Sequence, residues 1–284
     1  MGKRFSLAIF LEVQVMMMEF LTSSVKLDGF SMDYIRFGHG EKTFVILPGL
    51  SVQSVIPSAG AIVQAYRVLT DDFTVYLFDR RKELPVEYTM QQMADDTYAA
   101  MQTLGLQQVH LFGASQGGMI AMLIAADHPS FVEKLVLGST TCRITDKQYQ
   151  RIDQWIAAAA NGKLESLYLS FGEAIYPPKV FAQYRNALVL LSKNATDEDC
   201  RRFGILAGSL KGFDCADRLQ QIHCPVLLLG CKDDGVVGAA ATEMLADKLQ
   251  HLPFLELHLY DGYGHAAYDT APDYKERILR FLCK

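Results

Sequence analysis

A serine held between glycines, in Gly113-Ala114-Ser115-Gln116-Gly117, is the group in this chain best placed to do chemistry. The apolar run Val109-His110-Leu111-Phe112 precedes it and Met119-Ile120-Ala121-Met122-Leu123-Ile124-Ala125-Ala126 follows it, so the serine falls where a buried strand turns sharply into a buried helix. Such a turn closes only if its neighbours lack Cβ atoms, which is what Gly113 and Gly117 provide. The turn lifts the Ser115 hydroxyl out of the sheet and aims the Gln116 amide, at the positive end of the helix, into the same space. The chemistry this suits is attack on a carbonyl carbon, with the Gln116 N–H holding the oxyanion that forms.

A serine hydroxyl needs a base within hydrogen-bond reach, and the base needs a carboxylate to orient it. His265 follows one strand pattern, in Tyr260-Asp261-Gly262-Tyr263-Gly264-His265, and Asp233 and Asp234 follow another, in Gly230-Cys231-Lys232-Asp233-Asp234-Gly235. Both stretches put a functional group in a loop at the carboxyl end of a strand, in the chain order serine, acid, histidine. His265 is the expected base. His110 and His258 lie inside strand patterns as structural residues, and His39, His128, His223 and His251 have no comparable setting. For the acid, counting forward from the strand end favours Asp233 and counting back from Val236-Val237 favours Asp234. The strand end is the more rigid anchor, so Asp233 is preferred and Asp234 is the alternative.

The elements that must position these groups alternate regularly. Two short strands about Asp28-Gly29 precede Thr43-Phe44-Val45-Ile46-Leu47, an unbroken apolar run as expected of a strand buried on both faces. A helical stretch around Ser58 to Leu69, a strand from Phe73 to Asp79, and a helix opened by the capping pattern Thr89-Met90-Gln91-Gln92 lead to the serine. Met90, Met93, Ala94, Thr97 and Met101 recur at helical spacing and read as core. Strands at Lys134 to Thr140, Pro225 to Gly230 and Phe254 to Tyr260, with helices near Ala239 to Leu249 and Pro272 to Leu282, complete the pattern. This predicts an α/β fold with a mostly parallel central sheet flanked by helices.

The alternation stops between residues 145 and 218, where helical patterns replace strands, with Pro177-Pro178 read as a stop between two of them. The expected organisation is a core over 19–144 and 219–284 and a helical cap over 145–218, inserted after the sixth core strand and lying over the serine. Trp155, Tyr168, Phe171 and Tyr176 in that segment suggest a partly apolar substrate. Residues 1–18 are expected to lie outside the fold, as an unstructured extension or residues upstream of a start among Met16-Met17-Met18, with a secretory signal as the alternative. Their apolar run is interrupted by Glu12 and too short to span a bilayer, so no stable membrane insertion is expected.

A net charge of −5, with no Lys/Arg run long enough to suggest a basic surface, argues against a nucleic-acid partner. The six cysteines form no C-x-x-C pair or disulfide framework, which fits a cytoplasmic protein, and no His-Glu-x-x-His or comparable ligand spacing calls for a metal or cofactor. A small-molecule substrate is the expected partner.

From about Val25 to the C-terminus the chain resembles the α/β-hydrolase family, on the strength of the Ser115 elbow followed by Asp233 or Asp234 and His265. The resemblance implies that the loop after Leu47 supplies a second oxyanion amide, mapping to Leu50, although Pro48-Gly49 stands where many relatives have His-Gly, and Gly238 near where a proline is common. It implies a serine hydrolase acting through an acyl-enzyme, with carboxylic esters as the expected substrates. Thioesters, amides, carbon–carbon bond cleavage and a low-turnover binding protein are the alternatives.

Overall fold

The computed structural model describes residues 20–284, so the extension expected over 1–18 lies outside them. Strands β1 (Phe20–Leu27) and β2 (Phe30–Phe37) pair antiparallel about Asp28-Gly29, where Gly29 takes φ +79°. Six parallel strands follow: β3 (Lys42–Leu47), β4 (Phe73–Arg81), β5 (Val109–Ala114), β6 (Val132–Gly138), β7 (Val226–Cys231) and β8 (Leu255–Tyr260). The sheet order is β1-β2-β4-β3-β5-β6-β7-β8, with β2 antiparallel to both its neighbours. This order places β5 between β3 and β6 and gathers the carboxyl ends of six strands along one edge, which is where loops can converge on a ligand.

Both faces of the sheet are covered, as the unbroken apolar runs require. Along β3, Val45 and Leu47 point into one core with α2 (Met90–Thr103) and α3 (Gln116–Asp127), while Phe44 and Ile46 point into the other with α1 (Ala59–Ala65) and the C-terminal α10 (Tyr274–Leu282). The α2 stripe of Met90, Met93, Ala94, Thr97 and Met101 is buried, and the Thr89/Gln92 capping box is formed. Residues 116–126 of α3 are all buried, so the helix behind the serine is apolar all round.

Between β6 and β7 the chain leaves the sheet as α4 (Asp146–Ala160), α5 (Leu164–Ile175), α6 (Pro178–Asn194) and α7 (Asp197–Gly208). Its two ends are tied at a neck: Cys215 N donates to Cys142 O at 2.8 Å and Ile144 N to Phe213 O at 2.9 Å. The expected stop at Pro177-Pro178 falls between two helices: α5 ends at Ile175, and Pro178 starts α6 in its first turn, where a missing N–H costs nothing. Proline differs from expectation at one point. Pro272 precedes the Asp273 N-cap of α10 and lies outside that helix, which follows α8 (Ala239–Lys248) and a short α9 (Ala267–Thr270) directly after His265. The stretch around Ser58 to Leu69 is broken into α1 and flanking 3-10 turns. No helix among the described residues is long and apolar enough to cross a membrane.

Candidate active site

Ser115 joins β5 to α3 with φ 51° and ψ −121°, a conformation that costs an L-residue of order 1–3 kcal/mol and must be held by its surroundings. Its N–H donates to Gly138 O at 2.9 Å, and its carbonyl accepts from Gly118 N at 2.9 Å and Thr140 Oγ1 at 2.7 Å. The glycines are sterically compelled. A Cβ on Gly113 would lie 2.3 Å from Gly117 O, and one on Gly117 would lie 2.0 Å from Leu47 O.

His265, 3% exposed, sits in the loop after β8 with Nδ1 2.8 Å from Asp234 Oδ2. The other Asp234 oxygen, Oδ1, accepts from Val236 N at 2.8 Å and Val237 N at 2.9 Å. Burial by itself would raise the Asp234 carboxyl; the charge and hydrogen bond of His265 and the two amides outweigh it and hold it below the ordinary carboxylate range. A carboxylate is acceptor-only, so this pairing fixes the His265 proton on Nδ1 and leaves Nε2 with a free lone pair.

The preference for Asp233 as the partner of His265 is therefore corrected to Asp234. A turn closed by Asp234 N on Cys231 O carries Asp233 outward, and its exposed carboxylate instead accepts from Gly262 N at 2.9 Å, Gly264 N at 3.2 Å and Cys231 Sγ at 2.9 Å. Asp233 thus ties the loop after β7 to the loop that carries His265. Gly262 and Gly264, both at positive φ, let that loop fold onto it.

The Leu50 and Gln116 amides flank the serine, and neither is spent on a hydrogen bond to the described residues. Gly49 brings the Leu50 loop close: a Cβ there would lie 3.3 Å from Ser115 Cβ. Ser115 and His265 open onto one narrow cavity whose walls include Leu50, Trp155, Phe171 and Tyr268. Of the four aromatics singled out in the inserted helices, Trp155 and Phe171 reach this cavity. The Tyr168 hydroxyl bonds Gln53 Oε1 at 2.9 Å and the Tyr176 hydroxyl lies 3.5 Å from Asp269 Oδ2. Ala266 N donates to Ile175 O at 2.9 Å, joining the end of α5 to the histidine loop. Among the described residues, no group of three or more His, Cys, Asp or Glu side chains is disposed to hold a metal ion.

Sequence reasoning overlooked a buried polar cluster behind the serine, formed by Asp79, Arg80, Arg202 and the Gln116 side chain. Arg80 Nη2 donates to Pro48 O at 2.7 Å, and Arg202 Nη2 donates to Asp79 Oδ1 at 2.6 Å. The available signal was three adjacent charges closing an apolar strand, Phe78-Asp79-Arg80-Arg81.

The fold and the serine elbow define an α/β hydrolase. The chain belongs to that family: the family model described as serine aminopeptidase, S33, matches residues 65–269. It is 27% identical over 223 residues to a protein of Agrobacterium fabrum (strain C58) named carbamate hydrolase RutD, covering 75% of this chain and 84% of that protein. It is 26% identical over 261 residues to the serine hydrolase BPHL of Mus musculus, covering 86% of this chain and 80% of that protein. Among solved structures, MGS-M2, an α/β-hydrolase enzyme from a Medee basin deep-sea metagenome library, superposes with a TM-score of 0.82 at 21% identity, covering 92% of this chain and 98% of that one.

Proposed function

We propose that the chain is a serine hydrolase that cleaves small, largely apolar carboxylic esters through an acyl-enzyme. The observation that carries this reading is the pairing of His265 Nδ1 with Asp234 at 2.8 Å beside the strained Ser115. In it, His265 Nε2 removes the Ser115 proton and the hydroxyl oxygen attacks the ester carbonyl. The Leu50 and Gln116 amides hold the tetrahedral oxyanion, and His265 returns the proton to the departing alcohol. Water then repeats the sequence on the acyl-enzyme. Asp234 stays ionised throughout, stabilising the imidazolium that forms in each half.

The substrate class follows from the cavity walls. Ile144, Ile152, Trp155, Phe171, Leu210 and Val237 present apolar surface, and among the described residues the walls carry no carboxylate, lysine or arginine, only the polar groups of Ser115, His265 and Tyr268. A substrate carboxylate or ammonium entering there would be desolvated with no counter-ion, at a cost of several kcal/mol. A neutral, short acyl group has no such cost. The inserted helices act as the cap in this reading, and the narrowness of the void favours small acyl groups.

The resemblance to a named carbamate hydrolase supports a second reading, a neutral carbamate ester cleaved by the same groups. Initial rates on p-nitrophenyl acetate, butyrate and octanoate, an N-alkyl carbamate and an aminoacyl anilide test both. The ester reading expects the shortest acyl esters to have the highest kcat/KM and the anilide to be inert. Faster carbamate cleavage would replace it with the second reading, and preference for the free-amine anilide would refute both.

A further inference from the structure

We propose that Arg80 is a positioning residue of the oxyanion hole, holding both segments that supply its amides and setting a buried positive charge behind them. The inference rests on the serine-hydrolase reading and adds a residue to it.

Arg80 is the last residue but one of β4 and is only 5% exposed, yet its guanidinium forms no ordinary ion pair among the described residues. Its Nη2 donates to the carbonyl of Pro48 at 2.7 Å and, over a long 3.4 Å, to Gln116 Oε1. Pro48 stands two residues before Leu50, whose amide is one oxyanion donor, and Gln116 carries the other. One nitrogen therefore bridges the two pieces of chain that must stay at a fixed separation for both amides to reach the same oxygen. The Pro48 carbonyl has little freedom on its other side, since it packs against Gly117 closely enough that a Cβ there would lie 2.6 Å away. On the far side of Gln116, Nε2 donates to Leu206 O at 2.7 Å, so the side chain is anchored to α7 of the inserted helices and does not drift when Arg80 pulls on it.

The charges in this cluster do not balance. Asp79 accepts from Arg202 Nη2 at 2.6 Å and from the Arg80 main-chain N–H at 2.7 Å through the same oxygen, while Arg80 Nε and Arg202 Nη1 are buried without partners among the described residues. Two guanidinium groups thus face one carboxylate, leaving about one positive charge in a place of low dielectric. A buried excess charge is costly unless something offsets it, and an oxyanion forming on the other side of the Pro48 to Leu50 loop is such an offset. The interaction is worth more in the transition state than in the ground state, because only then is the negative charge present.

The test compares Arg80→Met and Arg80→Lys with the native chain. Methionine removes the excess cation and leaves Asp79 and Arg202 paired one to one, so the variant is expected to fold, which its melting curve checks. Lysine keeps a point charge but not the fork, so it should recover part of the loss. For Arg80→Met, kcat is expected to fall roughly 10–100-fold with KM within about threefold, a smaller loss than deletion of an oxyanion donor itself. The distinguishing readout is a pair of inhibitors of one shape: an alkyl trifluoromethyl ketone, which adds Ser115 to its carbonyl and bears an oxyanion, and the corresponding unfluorinated ketone. The trifluoromethyl ketone should weaken by the same factor as kcat/KM while the plain ketone is unchanged. Equal weakening of both ketones, or native kcat in Arg80→Met, overturns the proposal and leaves the serine-hydrolase reading intact. Failure of the native chain to form any trifluoromethyl ketone adduct at Ser115 overturns that reading, and the Arg80 proposal with it.

Discussion

Replacing each of the two adjacent aspartates by asparagine should separate their roles sharply. In Asp234→Asn the side-chain oxygen is claimed by the Val236 and Val237 amides, which the carboxylate Oδ1 satisfies at 2.8 and 2.9 Å. The amide NH₂ then faces His265 Nδ1, which can meet it only as an acceptor. The proton moves to Nε2, the nitrogen that acts as base in the proposed mechanism, and the imidazolium which that mechanism forms loses its counter-charge. Both groups are buried, at 9% and 3% exposure, so solvent does not screen the loss. Breaking such a pair costs about 3–5 kcal/mol. At 1.36 kcal/mol per tenfold in rate this is a fall of roughly 10²–10⁴ in kcat. In Asp233→Asn the exposed side chain keeps an acceptor for Gly262 N and loses the one for Gly264 N, worth about 1 kcal/mol and no more than about tenfold in kcat. Steady-state rates on a short-chain p-nitrophenyl ester, with melting curves as a control for folding, measure both. The reasoning is refuted if Asp233→Asn loses more than two decades while Asp234→Asn stays within one.

Two further outcomes follow from the core and the cavity. His110, fully buried with neither ring nitrogen hydrogen-bonded among the described residues, is pushed down from 6.5 to about 4 by burial, moderated by Glu133 at 3.6 Å. Between those values the unfolded chain takes up a proton at His110 that the folded chain refuses, so the His110 contribution to stability is level above about pH 6.5 and declines by roughly 3 kcal/mol as the pH falls toward 4. Urea midpoints at pH 7 and 5 should differ less in His110→Leu than in the native chain, and an equal difference would remove His110 from the account. Trp155→Ala deletes a side chain that is 4% exposed and packs 4.8 Å from the Phe171 ring, at a cost of about 3–5 kcal/mol in stability, while opening the cavity. The ratio of octanoate to acetate ester kcat/KM should rise, and an unchanged ratio would mean that Trp155 does not bound the acyl site.

The parts of the site that could be read from the sequence are those whose geometry is set locally. Gly113 and Gly117 are required by contacts within and beside one strand–turn–helix, so their spacing announced Ser115. His265 was legible because a strand pattern ends shortly before it. The acid was harder, since a loop can absorb one residue without disturbing the strand, and the turn of Asp234 N onto Cys231 O does so here. The Arg80 cluster was beyond reach because its partners come from elsewhere: Pro48 and Gln116 lie 32 and 36 positions away, and Asp79 meets Arg202 across 123. The same holds at the outer helices. Strand alternation, the α2 capping box and the break at Pro177-Pro178 are local signals, whereas the start of the last helix, at Tyr274 and not Pro272, depends on how α9 and α10 pack.

The central claim is that Ser115 is an activated nucleophile, and covalent trapping tests it most directly. The native chain and Ser115→Ala would each be treated with a fluorophosphonate at neutral pH and weighed by intact-mass spectrometry. One adduct per native chain, located at Ser115 by peptide mapping and absent from the variant, is the predicted result. A well-folded native chain that remains unmodified, or an adduct that persists in Ser115→Ala, would contradict it.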